Sequence, residues 1–469
     1  MKKSEKKYLS DYRVPSHFIE KCELSFFIEP QGTTVRSLLS VTENLKNSGQ
    51  SLFLNGKNLK TKAVAVNGER LPESGYTLGD DSLEIPSPGP QFTVEIEVLI
   101  DPDTNSSLEG LYRSGAILCT QCEPEGFRKI TWFPDRPDIL STFRVRIEAD
   151  SGTYPVLLSN GNLTASGVEG DNHWVQWEDP HPKPSYLFAL VAGQLSRATD
   201  SFATMSGRSV SLEVYVEEKD VDKAHFALYS LKEAMKWDED KFGREYDLDR
   251  YMIVAVDSFN HGAMENKGLN IFNSKYVLAS KETATDDDYD GVLGVIAHEY
   301  FHNWTGNRVT LRDWFHLSLK EGLTVFRDQE FSSDLLSRSV KRIEDARFIR
   351  TVQFLQDNGP RAHAVRPDSY LEMNNFYTVT IYQKGAELIR MERTLIGPER
   401  FREGMDIYFE RHDGEAVIIE DFVRAMADAS GFDFTHFMRW YSQAGTPVLE
   451  ISDEYNPVTR EYTLRVTQS

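Results

Sequence analysis

His298-Glu299-Tyr300-Phe301-His302, followed after an eighteen-residue gap by Glu321, is the stretch that decides the reading of this chain. On a helix, residues four apart lie on one face about 40° out of line, so both imidazoles can reach one metal ion while Glu299 points beside it. This is the HExxH pattern of a zinc site. Upstream, Gly291-Val292-Leu293-Gly294-Val295-Ile296-Ala297 is an apolar run suited to a buried helix. Downstream, Leu317-Ser318-Leu319-Lys320-Glu321-Gly322-Leu323-Thr324-Val325-Phe326 is a second helical pattern that can pack on the first and supply a carboxylate. Two His and one Glu leave a fourth tetrahedral position open for water, the mark of a catalytic rather than a structural zinc site. His298, His302 and Glu321 are the expected ligands of one Zn2+ per chain, and Glu299 the expected base. Ordinary surface residues on two amphipathic helices would have to coincide in type, spacing and setting to mimic this.

Away from that stretch, the length of 469 residues corresponds to about three domains. Lys+Arg 52 against Asp+Glu 73 gives a net charge of −21, which argues against nucleic acid or an anionic membrane as partner. The start, Met1-Lys2-Lys3-Ser4-Glu5-Lys6-Lys7-Tyr8, has positive charge but no apolar stretch behind it, unlike a secretory signal. No apolar run approaches membrane-spanning length. Three cysteines, Cys22, Cys119 and Cys122, indicate no disulfide framework, so a reducing cytoplasm is the expected address. Cys119-Thr120-Gln121-Cys122 is formally a CxxC, but it lacks a second pair for zinc and a βαβ setting for redox work; two ordinary thiols are expected.

The pattern predicts an α+β multidomain chain. Residues 1–193 read as an antiparallel β domain, with alternation in Val94-Glu95-Ile96-Glu97-Val98 and Phe143-Arg144-Val145-Arg146-Ile147 and turn signals at Asn55-Gly56, Asn67-Gly68 and Asn160-Gly161. The Pro-rich stretch from Asp179 to Pro184 and the apolar Tyr186 to Val191 mark its last strand. Residues 194–444 read as a mixed α/β unit, with strands at Val210 to Val216 and Tyr251 to Val256, a helix from Val221 to Phe242, and helical pattern from about Asp287 to Ser442. In 445–469 the period returns to two. A lone hairpin is marginal in water, so this segment is expected to begin a β-sandwich whose remainder is missing.

Gly262-Ala263-Met264-Glu265-Asn266, upstream of the HExxH, matches the exopeptidase signature of the M1 (gluzincin) zinc aminopeptidases. With His298-Glu299-x-x-His302, the spacing to Glu321, Tyr382-Gln383-Lys384-Gly385-Ala386, Thr120-Gln121-Cys122-Glu123 and Phe331-Ser332-Ser333-Asp334, the whole chain resembles bacterial members of that family. The resemblance implies a saddle-like N-terminal β domain, a thermolysin-like catalytic domain, a β-sandwich, and a C-terminal helical domain that this chain lacks. It implies hydrolysis of the N-terminal residue from peptides with a free N-terminus, with Tyr382 stabilising the oxyanion; from the residues alone Tyr377 is an equal candidate. Glu265 and Glu123 are implied as anchors for the substrate α-ammonium, with Gln121, Gly262, Ala263, Met264 and Asn266 in the substrate-binding set. His261 stands where bacterial members often carry an apolar residue, and a polar wall for the first side-chain pocket is its expected role. A leukotriene A4 hydrolase-like bifunctional enzyme is the alternative, and a piece inactive without the helical domain another. A scaffold without zinc is disfavoured by the full ligand set, and an endopeptidase by Glu265.

Overall fold

The computed structural model describes residues 5–47 and 49–469; Met1 to Ser4, part of the amino-terminal stretch read above, lie outside them. Residues 17–183 are dominated by an eight-stranded sheet in the spatial order Asn162–Glu169, Asn172–Lys183, Ser141–Asp150, His17–Glu29, Gly32–Glu43, Gln91–Ile100, Lys60–Val66 and Glu69–Arg70. Its neighbours run antiparallel except Ser141–Asp150 beside His17–Glu29, which run parallel. Alternation decides the faces: Val94, Ile96 and Val98 are buried while Glu95 and Glu97 are not. A four-stranded sheet carries Ile117–Gln121, and with it the approach to Glu123.

From Ser196 the chain enters a second, five-stranded sheet in the order Ser196–Ala203, Ser209–Val216, Arg250–Val256, Leu269–Asn273, Ala263–Met264. The three inner strands are parallel and mostly buried, rich in Val, Ile and Leu as strands covered on both faces are expected to be. Three helices then matter most: α1 (His225–Phe242), α2 (Asp286–Phe301) and α3 (Ser318–Leu335). Trp237 of α1, Phe301 of α2 and Phe331 of α3 meet with ring centroids 5.0, 5.6 and 5.9 Å apart. A fully buried ion pair of Arg327 with Asp238 ties α3 to α1, and the same guanidinium donates to the Phe301 carbonyl at 2.9 Å. The end of α2 is thereby fixed from two sides.

Several expectations are corrected. Of the three Asn-Gly signals, only Asn67-Gly68, with both residues at positive φ, closes a hairpin, between Lys60–Val66 and Glu69–Arg70. Gly56 and Gly161 instead allow close approach: a Cβ would stand 2.3 Å from the Trp132 ring at Gly56 and 2.1 Å from the Glu178 carbonyl oxygen at Gly161. The helix expected from Val221 starts at His225, because Glu218–Lys223 winds as a 3-10 turn. Ser185–Leu187 is another such turn, so the last strand before the second sheet is only Leu190–Gly193, whereas the Pro-rich stretch up to Lys183 is itself strand. The helical stretch after Asp287 is broken by two π turns, Ile349–Gln353 and Thr380–Lys384. Leu449–Asn456 and Glu461–Gln468 form an antiparallel hairpin with Tyr462, Leu464 and Val466 exposed. Among the described residues no helix is long and apolar enough to cross a membrane.

Candidate active site

Thr285 opens α2 with a capping box: its side chain accepts from the Asp288 N–H and the Asp288 carboxylate accepts from the Thr285 N–H. Asp286, Asp287 and Asp288 lie at the positive end of the helix dipole. Val292, Ile296, Ala297 and Tyr300 turn into the core, which leaves His298 and Glu299 on the cavity side. His302 is one residue beyond the last helical one, yet it keeps helical angles (φ −58°, ψ −21°) and its N–H bonds to the His298 carbonyl. The four-residue spacing of the two imidazoles therefore holds. On α3, Glu321, Thr324 and Asp328 fall at i, i+3 and i+7 and face α2 as one stripe.

His298 Nε2 and His302 Nε2 stand 3.0 Å apart, and Glu321 Oε2 lies 3.5 and 3.4 Å from them. A tetrahedral zinc with bonds of about 2.0–2.1 Å sets its ligand atoms about 3.3 Å from one another. The tautomers agree. His302 Nδ1 lies 2.9 Å from the Thr305 carbonyl, which only accepts, and His298 Nδ1 lies 2.7 Å from the Asp328 carboxylate. With Nδ1 of each ring turned to one of these acceptors, the two Nε2 atoms are the ones left to converge with a carboxylate oxygen and hold a metal. Such a cluster needs a cation at its centre. Burial pulls the His298 pKa down, yet Asp328 and Glu321 drive it well above the usual histidine value, the response of a site drawing in positive charge. The residues present fit a zinc ion.

The opposite wall is β. Ala263–Met264 pairs on one side with Leu269–Asn273 and is the edge of its sheet, so its other side carries unpaired backbone groups. A cavity of about 920 Å³ brings together Gly262, Ala263, Glu265 and Glu123 with His298, Glu299, His302, Glu321 and Tyr382. Gln121, Met264 and Asn266 are not at its surface. They lie behind the wall, the Gln121 amide nitrogen 3.7 Å from Met264 Sδ and 3.3 Å from the Glu123 carbonyl. His261 lines the cavity, its ring centroid 5.6 Å from that of Tyr377.

Tyr382 sits in the π turn Thr380–Lys384, with its ring nearly parallel to that of His298 at 6.5 Å. Gly385 makes this possible. A Cβ there would lie 3.1 Å from the Gly322 Cα, so the glycine following Glu321 and the glycine of Tyr-Gln-Lys-Gly meet backbone to backbone, and Ser318 Oγ donates to the Ile381 carbonyl at 2.9 Å. Tyr377 lines the same cavity with its buried hydroxyl unpaired.

Residues 14–187 match the Peptidase M1 N-terminal domain, and residues 226–441 match the Peptidase family M1 domain. The chain belongs to peptidase family M1. Over 463 residues it is 57% identical to aminopeptidase N of Escherichia coli (strain K12), covering 98% of this chain and 53% of that protein. Aminopeptidase N of Haemophilus influenzae is 55% identical over 467 residues, with coverage of 99% and 53%. The crystal structure of Legionella pneumophila aminopeptidase A in complex with aspartic acid superposes with a TM-score of 0.93 at 39% identity, over 99% of this chain and 54% of that one. The chain spans about half the length of the curated relatives it matches.

Within this M1 site the charges are unevenly distributed. Glu299 is pushed well above the usual carboxylate range by burial and by the neighbouring Glu265 and Glu321, with His298 opposing. Burial would raise Glu265 and Glu321 too, but Lys320 holds both below it. Burial and Glu321 keep the Tyr382 phenol protonated. Sequence reasoning missed Asp328, the Thr305 carbonyl and above all Lys320. The i+7 spacing of Asp328 from Glu321 was a readable signal; Lys320 and the Thr305 carbonyl gave none beyond adjacency to the motifs.

Proposed function

We propose that this chain carries a zinc aminopeptidase site that hydrolyses the N-terminal peptide bond of substrates with a free α-ammonium. The observation that carries the reading is the meeting of two histidines, each with Nδ1 held by an acceptor, and Glu321 with the buried carboxyl of Glu299 in one cavity. His298, His302 and Glu321 would hold one Zn2+. When bound, the ion supplies Lewis acidity and lowers the pKa of a water toward neutrality.

Glu299, buried beside a ligand and facing the same cavity, is assigned to take a proton from the attacking water and pass it to the leaving amine. Tyr382, a protonated phenol in the same cavity, is the donor assigned to the tetrahedral oxyanion. Tyr377 is set aside for that role because its ring packs on His261 rather than beside His298. Glu265 and Glu123 are assigned to the α-ammonium, since a cation leaving water for a closed site must be paired and hydrogen-bonded. The free edge at Gly262 and Ala263 would pair with substrate backbone as an added strand. Met264, Asn266 and Gln121 are proposed to support this wall from behind. We take 1–193, 194–444 and 445–469 as the structural units of the chain, and three buried free thiols support a reducing, cytoplasmic address. A panel of aminoacyl chromogenic substrates assayed with and without chelator tests the reading: turnover that survives full metal removal would reject it.

A further inference from the structure

Lys320 is 2% exposed and lies in the first turn of α3, where a cation opposes the helix dipole. A buried lysine in an unfavourable place is expected to have strong compensating partners. Its Nζ donates to Glu265 Oε1 at 2.7 Å and Glu321 Oε1 at 2.6 Å, and pairs with Glu123 Oε1 at 2.7 Å. The Tyr186 ring lies 5.4 Å away. One ammonium thus touches the carboxylate assigned to the metal and both carboxylates assigned to the substrate amine.

Which oxygens it takes matters. Glu321 spends Oε1 on Lys320 and turns Oε2 to the two imidazole nitrogens. Glu265 spends Oε1 in the same way, and no described residue donates a hydrogen bond to its other oxygen. Glu123 forms an ion pair with the same Nζ, but its Oε1 is out of line for a hydrogen bond, so it is the least firmly held of the three. We propose that Lys320 is a positioning residue that fixes Glu123 and Glu265 relative to Glu321, and so sets the seat of the substrate α-ammonium at a fixed distance from the metal. This rests on the reading of Glu123 and Glu265 as amine anchors. Without Lys320, Glu123 and Glu265 would repel each other and swing apart, and the amine seat would lose its geometry, while Glu321, whose Oε2 faces both imidazole nitrogens, would stay with the bound ion.

The test compares two probes by calorimetry on the zinc-loaded chain: L-leucine hydroxamate, and 4-methylpentanohydroxamic acid, which lacks only the α-amine. The unchanged protein should prefer the amine-bearing probe. Lys320→Met should reduce that preference about 10-fold or more, the worth of one charge-assisted hydrogen bond, with the des-amino probe and zinc content nearly unchanged. An intact preference, or parallel weakening of both probes, would overturn the proposal. Lys320→Gln, which retains a donor, gives a smaller change of the same kind and serves if Lys320→Met does not fold; loss of fold in both would assign Lys320 to structure instead. If the unchanged protein itself shows no preference, the anchor reading fails, a result distinct from failure of Lys320 alone.

Discussion

The two walls of the cavity are built on different principles. The helical wall holds its groups by periodicity: His298 and His302 four apart at the end of α2, Glu321 and Asp328 seven apart on α3, with Asp328 orienting His298 across the two helices. The β wall holds its groups by edges and long-range contact, with Glu123 at the end of one sheet, Glu265 beside the edge strand of another, and Lys320 reaching across to both. Rigid local spacing suits proton transfer, where small displacements cost much rate. An assembled wall suits recognition, because it can be tuned one contact at a time.

If this division is right, damage to the two walls should look different. Glu299→Gln preserves shape but cannot accept the water's proton, so kcat should fall by about 10²-fold or more with zinc content intact; near-normal turnover would break the assignment of chemistry to the helical wall. Glu265→Ala should lower kcat/KM for substrates with a free N-terminus by about 10–100-fold, without changing metal content measured by atomic spectroscopy. Asp328→Asn sharpens the contrast within the helical wall. It leaves all three ligands but loosens His298, and zinc affinity in a chelator competition should drop about 10-fold or more.

A control outside both walls concerns Glu392, fully buried, with one oxygen accepting from the Tyr441 hydroxyl at 2.9 Å and the other unpaired. Burial raises its pKa to about 8 from 4.5, with the Tyr441 bond opposing. Between those values the unfolded chain gives up the proton that the folded chain keeps, so stability falls as pH rises from about 4.5 to 8. Glu392→Gln should flatten that fall: thermal unfolding of the two proteins should agree near pH 4.5, and the variant should gain on the order of 3 kcal/mol by pH 8 with catalysis little altered.

The helical wall was legible in the sequence because its information is local. Two imidazoles four apart and a carboxylate on the next apolar helix fix one another whatever the rest of the fold does. The β wall was legible only through the Gly262–Asn266 and Gln121–Glu123 resemblance, since nothing in those residues announces that sheets separated by more than 100 positions will meet. Lys320 was not legible: a lysine before a glutamate on an amphipathic helix reads as a solvated residue, and only the tertiary meeting of Glu123, Glu265 and Glu321 gives it a role. Gly56 and Gly161 misled for the same reason, because the neighbour that demands a missing Cβ is distant in sequence. The boundaries at Val221 and Tyr186 slipped because single 3-10 turns share the composition of the elements they adjoin.

The most direct test of the account is the ratio of kcat/KM for an aminoacyl p-nitroanilide to that for its N-acetylated counterpart, measured on the zinc-loaded chain. On this account the helical wall should treat the two alike, whereas the β wall should accept only the free ammonium. A ratio of about 10² or more, the scale expected when buried charged groups are left unpaired, is the predicted result. Comparable cleavage of both substrates would contradict the assignment of the Glu123–Glu265 wall to the amine, and with it the reading of this chain as an aminopeptidase.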